Sequence, residues 1–318
     1  MQELTIKKYL KLLKCPKDGS DFKLIVNKKY GNEILNGKIV SIKNNNVYKI
    51  QNNIIKFVSS NNYAKSFEYQ FNKFKKILFH GIATHMSNHT NVMFKKITNN
   101  YNLQRKIVID VGCGGGRFVN EALKKNPKLI IALDYSGAIE EVAKNLYNKT
   151  EKLLLIQADA LNIPIKDNVL DFVYSIGVLH HTRSVEKSFK EICRIAKPKS
   201  KIALSVYRKG YYCNLCVTIM RRFLNLFDEK TKFKLAYIYS IIIYSIIPNK
   251  IKTISILRKI IPYVYLPNKE WSIYDTIDSI TPVYQTCYSE KEVKDLFIRN
   301  RLKNVIHVDW GVSHIGEK

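Results

Sequence analysis

The residues best suited to chemistry in this chain are a glycine run, three aspartates and a pair of histidines. Gly112-Cys113-Gly114-Gly115-Gly116 closes the apolar stretch Ile107-Val108-Ile109-Asp110-Val111. Glycines at the end of such a stretch let the backbone turn sharply and approach a ligand closely, because no Cβ intrudes. Spacing then decides what the turn could hold. A dinucleotide fingerprint, G-x-G-x-x-G, needs glycine where Arg117 stands. A phosphate-cradling P-loop needs Gly-Lys-Ser/Thr, which does not follow. Asp134 ends the run Leu129-Ile130-Ile131-Ala132-Leu133, where a carboxylate can accept both hydrogen bonds of a ribose diol. Asp159, in Gln157-Ala158-Asp159-Ala160, is placed to accept from an adenine amino group, and Asp110 suits an ammonium, directly or through water. Each acid alone is as readily a capping or solvated aspartate. Together they fit one cationic, zwitterionic adenosyl ligand. His180 and His181 follow the apolar segment Leu170 to Ile176. A histidine there can take a proton from a hydroxyl or amine nucleophile, or simply pack and bond backbone. His181 is the favoured base, because the strand's last residue tends to face the core.

The elements that must position these residues are legible from periodicity. Lys106 to Val111, Leu129 to Asp134, Leu153 to Ile156, Val169 to Tyr174 and Lys201 to Val206 read as buried strands. Helical stretches lie between them at Arg117 to Asn126, Gly137 to Asn148 and Val185 to Ala196. Continuous apolar strands alternating with helices predict a parallel sheet covered on both faces, with ligands at the carboxyl ends of its strands. Residues 1–60 read as short strands and turns, and 61–104 as a helical connector carrying Phe67, Tyr69, Phe71 and Phe74. Residues 105–318 form the main domain. A long apolar, basic, mostly helical insertion occupies 210–285, with prolines at 248, 262, 267 and 282. A helix at Ser289 to Asn300, a strand at Asn304 to Trp310 and a short last piece complete the chain.

On these motifs, residues 106 to 208 resemble a class I S-adenosylmethionine-dependent methyltransferase of the ubiquinone/menaquinone-methyltransferase-like group. The resembling segments are Val108 to Phe118, Ala132 to Ser136, Gln157 to Ile165, Leu170 to His181 and Glu191 to Pro198, the last followed by Lys199-Ser200 in place of Gly-Gly. The resemblance implies an α/β fold: a doubly wound, mostly parallel, seven-stranded Rossmann-like sheet. To it are added a small N-terminal β-rich segment and a helical insertion after strand five. It implies S-adenosyl-L-methionine as cofactor, with Gly112, Gly114 and Gly116 lining the methionine moiety, Asp134 on the ribose, and Asp159 with Ala160 at adenine. Asp110, Tyr135 and Ser175 complete the expected set. Leu12-Leu13-Lys14-Cys15-Pro16-Lys17-Asp18-Gly19, with Gly37 to Val40 and Tyr48 to Ile50, resembles the small zinc ribbon often fused ahead of such enzymes. Only Cys15 survives there, with Asp18, Ser41 and Asn44 where other thiolates would stand, so a metal-free relic is expected.

The formal charge of +27 invites a nucleic-acid reading. Lysine far outnumbers arginine, however, and Asn and Ile are plentiful, which fits a compositional bias better than a phosphate-reading surface. The six scattered cysteines, including Cys213 and Cys216, read as reduced core thiols of a cytoplasmic protein. No signal peptide is read at the N-terminus. Leu235 to Ile247, interrupted by Pro248 and Asn249, is too short to span a bilayer. The expected partner is a small-molecule acceptor, such as a sugar or lipid-linked intermediate of bacterial surface-sugar or secondary metabolism. RNA is the alternative acceptor, and a silent adenosyl-binding scaffold a third reading. The insertion is expected to be a lid or, failing that, a peripheral membrane contact.

Overall fold

The computed structural model describes residues 2–31, 33–58, 65–80, 83–146, 151–210, 212–247, 260–266 and 268–318. Pro248, Asn249 and Pro267 lie outside them. At the centre run four parallel strands, β5 (Ile107–Val111), β6 (Leu129–Asp134), β7 (Leu153–Gln157) and β8 (Leu170–Ile176), numbered after four N-terminal ones. Every residue of β6 and β7 is buried, because both faces of the sheet are covered. The strand alternation feeds two cores. Ile109, Val111, Ile131 and Leu133 pack on one face with Phe189 and Ile192 of α6 (Val185–Ile195), among others. Val108, Ile130 and Ala132 pack on the other with Val119 of α4 (Arg117–Leu123) and Val142 of α5 (Ile139–Asn145).

β9 (Ala196–Val206) continues the parallel set beside β8, and β11 (Val312–Glu317) pairs antiparallel with it. β10 (Lys303–Val308), reached through α10 (Glu290–Arg299), forms the edge. The strand order β7-β6-β5-β8-β9-β11-β10 reverses direction of winding at β5 and β8. The crevice at that switch point lies outside the carboxyl end of β5, where the glycine run begins.

The N-terminal β-rich segment was expected beside the sheet; instead its four strands join the seven named above, so that among the described residues the sheet has eleven. β1 (Phe22–Tyr30), β2 (Glu33–Ser41), β3 (Val47–Gln51) and β4 (Ile54–Lys56) form an antiparallel meander, and β4 pairs parallel with β7, Ile54 opposite Leu155. The alternating pattern of β3 and the buried pair Ile54-Ile55 let the meander extend the sheet instead of folding apart from it. A short helix α1 (Gln2–Tyr9), not foreseen, packs Ile6 and Tyr9 into the same core. Asp18 accepts hydrogen bonds from Ser20, from Ser41 at 2.9 Å and from the Asn46 amide at 2.9 Å, while Cys15 Sγ lies 3.5 Å from Tyr48 Oη. Asn46, not Asn44, completes the cluster. The hydroxyl and amide donors around Asp18 hold its carboxyl well below the usual carboxylate range. Among the described residues no group of three or more His, Cys, Asp or Glu side chains is arranged to hold a metal.

The insertion contributes three described helices: α7 (Leu215–Leu224), α8 (Glu229–Ile246) and α9 (Lys269–Ile280). Asn214, Asp228 and Asn268 cap them through side-chain oxygens that accept backbone N–H groups. α9 packs on α7, α8 and the connector helix α2 (Lys65–His80); α3 (Ala83–Ile97) follows α2 and packs on α4. No helix among the described residues is long and apolar enough to cross a membrane.

The expectation of six reduced thiols is also corrected. Cys213 and Cys287 form a disulfide across 74 residues, while Cys15, Cys113 and Cys193 are buried free thiols and Cys216 is half-buried. Sequence spacing gave no sign of this pair, since the two segments meet only in the fold. Gln285 Nε2 donates to the Tyr212 carbonyl, and Thr286 N–H donates to the His180 carbonyl, bringing the two straps side by side. Closing so long a loop restricts the unfolded chain. Cys213→Ser, or reduction of the bond, is therefore expected to lower the free energy of unfolding by about 2–4 kcal/mol. Guanidinium unfolding with and without reductant checks this; coincident curves would sink it.

Candidate active site

The glycine turn is shaped by the backbone hydrogen bonds it makes. Gly112 and Cys113 both donate their N–H groups to the Leu133 carbonyl, at 2.7 and 2.9 Å, tying the end of β5 to the end of β6. Gly112 and Gly114 have φ of 83° and 52°, in the left-handed region that side chains rarely adopt. A Cβ on Gly112 would collide with the Val178 side chain, and one on Gly114 would come within 2.5 Å of the Phe71 ring. Phe71 belongs to α2, so the helical connector closes directly over the turn.

Asp134 is the next fixed point. One carboxylate oxygen accepts the Gly114 N–H at 2.7 Å; the other accepts the Ser136 N–H at 2.8 Å and its hydroxyl at 2.6 Å. A carboxylate offers about four lone-pair sites, so one is left for a ligand. Burial pushes its pKa up, against the lowering by these donors. Asp159 accepts the Leu161 N–H at 2.9 Å through Oδ1; burial raises its pKa while Arg183 opposes the rise.

A single cavity of about 440 Å³ joins these groups. Gly112, Gly114, Asp134, Tyr135, Asp159, Ala160 and His181 line it. The other expected residues lie behind its wall. Gly116 caps α4, where a Cβ would come within 3.1 Å of Val142, and Ser175 is fully buried with its hydroxyl donating to the Val111 carbonyl. Asp110 is buried with Oδ2 lacking a hydrogen-bond partner among the described residues, and burial drives its pKa well up. His180 is fully buried, neither ring nitrogen is hydrogen-bonded to a described residue, and burial pushes its pKa well down. Its ring packs at a tilt against that of Tyr207, 3.9 Å between ring centres. Asp110, Gly116, Ser175 and His180 thus lie beneath the strand ends and outside the residues that line the cavity.

The opposite wall was missed by sequence reasoning. Tyr207 follows directly after β9 and donates its hydroxyl hydrogen bond to Asp278 of α9, and Tyr212 stacks on Tyr207. His181 Nδ1 lies 3.3 Å from the Tyr284 carbonyl, and Nε2 lies 3.7 Å from the Asp278 carboxylate. Asp275, half-buried and facing the cavity, accepts no hydrogen bond from a described residue. Burial, with Asp278 beside it, lifts its pKa to about 7. Trp271, Tyr274, Asp275 and Asp278 recur at i, i+3, i+4 and i+7 of α9, one helical face. That periodicity was available in the sequence, but carboxylates on an aromatic stripe resemble an ordinary amphipathic boundary. Arg117 brings a cation to the cavity, 4.5 Å from the Phe118 ring centre and 5.6 Å from that of Trp271.

The residues present suit an adenosyl cofactor: a turn held open by two glycines, free acceptor capacity on Asp134 and Asp159, and a cavity of ligand size. The family described as "Methyltransferase domain" matches residues 109–204. Over 121 residues the chain is 29% identical to the ubiquinone biosynthesis O-methyltransferase of Coxiella burnetii, covering 38% of this chain and 51% of that one. Over 120 residues it is 30% identical to the malonyl-acyl-carrier-protein O-methyltransferase of Buchnera aphidicola, 38% and 46% of the two chains. Over 105 residues it is 31% identical to the Mus musculus protein named Probable tRNA methyltransferase 9B, 32% and 22%. The match thus spans about half or less of these relatives. Fold, cavity and matches together define this segment as a methyltransferase domain with S-adenosylmethionine as its methyl donor.

Two outcomes are expected. Asp134→Ala should weaken S-adenosylmethionine binding at least tenfold by calorimetry, since it both removes an acceptor and frees the Gly114 N–H; unchanged affinity would remove Asp134 from the site. The second concerns pH. Asp275 has a folded-state pKa above its unfolded one, so the fold favours the neutral acid and stability falls as pH rises from about 4 to about 7. Asp275→Asn should flatten that decline in ligand-free protein, measured by denaturant midpoints at several pH values across the window. Parallel profiles for the two proteins would refute it.

Proposed function

We propose that this chain transfers a methyl group from S-adenosylmethionine to a small acceptor, a sugar or lipid-linked biosynthetic intermediate, bearing a hydroxyl or amine. One observation carries the reading: the glycine turn, Asp134 and Asp159 share a single cavity with His181, Tyr207, Asp275 and Asp278. The first group suits the cofactor and the second an acceptor.

S-adenosylmethionine supplies an electrophilic methyl, so the chain's task is alignment, exclusion of water and handling one proton. Asp134, with Tyr135, is assigned to the ribose, and Asp159 with Ala160 to adenine. Gly112 and Gly114 admit the methionine end, and Gly116, Ser175 and Asp110 support the turn from behind. His181 is assigned as the base. With Nδ1–H donating to the Tyr284 carbonyl, Nε2 carries the lone pair toward the cavity. Asp278, 3.7 Å from Nε2, would stabilise the imidazolium formed when the proton arrives, and the Tyr207 hydroxyl keeps that carboxylate aimed. His180 props Tyr207 and His181 from below without reaching the acceptor. Phe67 and Phe71 of α2 and Trp271 and Tyr274 of α9 line the cavity and exclude water from it. The insertion at 210–285 thus acts through α9 as the lid over a methyltransferase domain spanning 105–318. The meander of residues 1–60 and the connector 61–104 form its flank and roof.

RNA is the second reading, supported by the charge of +27 and by the name of the mouse relative. Labelled cofactor incubated with separated RNA, lipid and metabolite fractions tests the two, label in RNA overturning the small-acceptor reading. With the acceptor in hand, His181→Ala is expected to lower turnover by about 10²–10⁴-fold while leaving S-adenosylmethionine affinity unchanged. Full turnover in that variant would exclude His181 as the base.

A further inference from the structure

The hairpin of α7 and α8 has one buried side and one bare side. On α7, Val217, Arg221 and Leu224 are buried, while Leu215, Ile219 and Phe223 are 73%, 57% and 53% exposed. On α8, Lys232, Ala236 and Ser240 are buried, while Leu235, Ile238, Ile242 and Ile246 are exposed. Ile219 and Phe223 sit two positions past the buried Val217 and Arg221, and Ile238 and Ile242 two past Ala236 and Ser240. At 3.6 residues per turn, that is about 200° around each helix. Both helices pack on α9, and Val217, Leu224 and Ala236 share one core with its Ile273 and Ile277, so the apolar stripe of each helix is turned away from that core. Leu226, 80% exposed, and Phe227 join them at the tip. From Lys234 to the end of α8 there is no further charge.

Cations border this face. Arg222, Lys230 and Lys234 are exposed on the hairpin itself. Lys73 of α2 holds its ammonium 4.9 Å from the Tyr237 ring centre, and Lys269 of α9 lies 5.9 Å from that of Tyr244. Against these five, the exposed acids on the hairpin and the start of α9 are Asp228 and Glu270. Aliphatic stripes bordered by tyrosines and lysines are what a helix lying in a membrane interface presents. A second copy of this chain is a poor occupant, because it would bring the same strong positive charge of +27 to the contact.

We propose that the outer face of the α7–α8 hairpin docks on an anionic phospholipid bilayer. The helices lie along the surface, with Leu215, Ile219, Phe223, Leu226, Ile238 and Ile242 sunk among the acyl chains and the bordering lysines at the phosphates. α9 then stands between the bilayer and the cavity, with its aromatic and acidic face toward the acceptor. The acceptor class that follows is a lipid-linked or lipid-dissolved molecule; this last step rests on the small-acceptor reading above, whereas the docking does not.

Co-sedimentation of the full chain with vesicles tests the docking. Vesicles of phosphatidylcholine with an equal share of phosphatidylglycerol should bring the protein down, and phosphatidylcholine alone should not. The paired change Ile238→Asn and Ile242→Asn alters no charge, so binding through net charge alone would survive it. The proposal expects at least a tenfold loss. Leu226→Ser, at the fully open tip, should give a smaller loss in the same direction without any burden on folding. Calorimetry with S-adenosylmethionine on the same samples reports whether the variants are folded, and separates failure of docking from failure of the methyltransferase reading. Absence of binding to the anionic vesicles, binding untouched by both variants, or a dimer in solution that the paired change dissociates would each overturn it.

Discussion

Asp134 grips the glycine turn from the neighbouring strand, one oxygen on the Gly114 N–H and the other on Ser136. With the Gly112 and Cys113 N–H groups both committed to the Leu133 carbonyl, the ends of β5 and β6 behave as one rigid piece. The cavity floor, the start of α4 and the approach of α2 are all set from that piece. The carboxylate therefore does two jobs. Removing it would not only delete a ligand contact but release a backbone donor into a buried site, which costs more than the hydrogen bond itself.

Around this floor, the site is closed by elements distant in sequence. α2 brings Phe71 against Gly114, α9 brings two aromatic rings and two acids, and the disulfide between Cys213 and Cys287 draws the straps behind Tyr207 and His180 together. Their convergence places acidic groups in an aromatic enclosure with Arg117 as the facing cation. Such a pocket is electrostatically incomplete without a positively charged ligand, since burial raises the pKa of its lining carboxylates Asp134, Asp159 and Asp275 alike. A sulfonium and ammonium entering beside them would favour their ionised forms. The polarity of the cavity and the charge of the cofactor are in that sense matched.

The two faces of the insertion carry different chemistry. α9 turns Trp271, Tyr274, Asp275 and Asp278 inward, whereas α7 and α8 leave aliphatic stripes outward with lysines at their margins. The proposed lid and the proposed surface contact need not compete for one segment, because they are assigned to separate helices.

The sequence by itself determined the parallel strands, the glycine turn that closes the first of them, and the cofactor. These depend on short-range rules: apolar runs for strands covered on both faces, glycines where φ must be positive, and carboxylates at strand ends. It also marked His181, although not what faces it. Only the tertiary structure decided that β1 to β4 extend the same sheet, because strand pairing such as Ile54 with Leu155 leaves no local trace. Only it brought Asp278 to His181 across 97 positions of chain and joined Cys213 to Cys287. It also separated the residues that line the cavity from Asp110, Gly116, Ser175 and His180, which hold it from behind. Local sequence states which residues end a strand; whether a side chain there meets ligand or core depends on what packs against it, and those partners come from α2, α9 and the 284–288 strap.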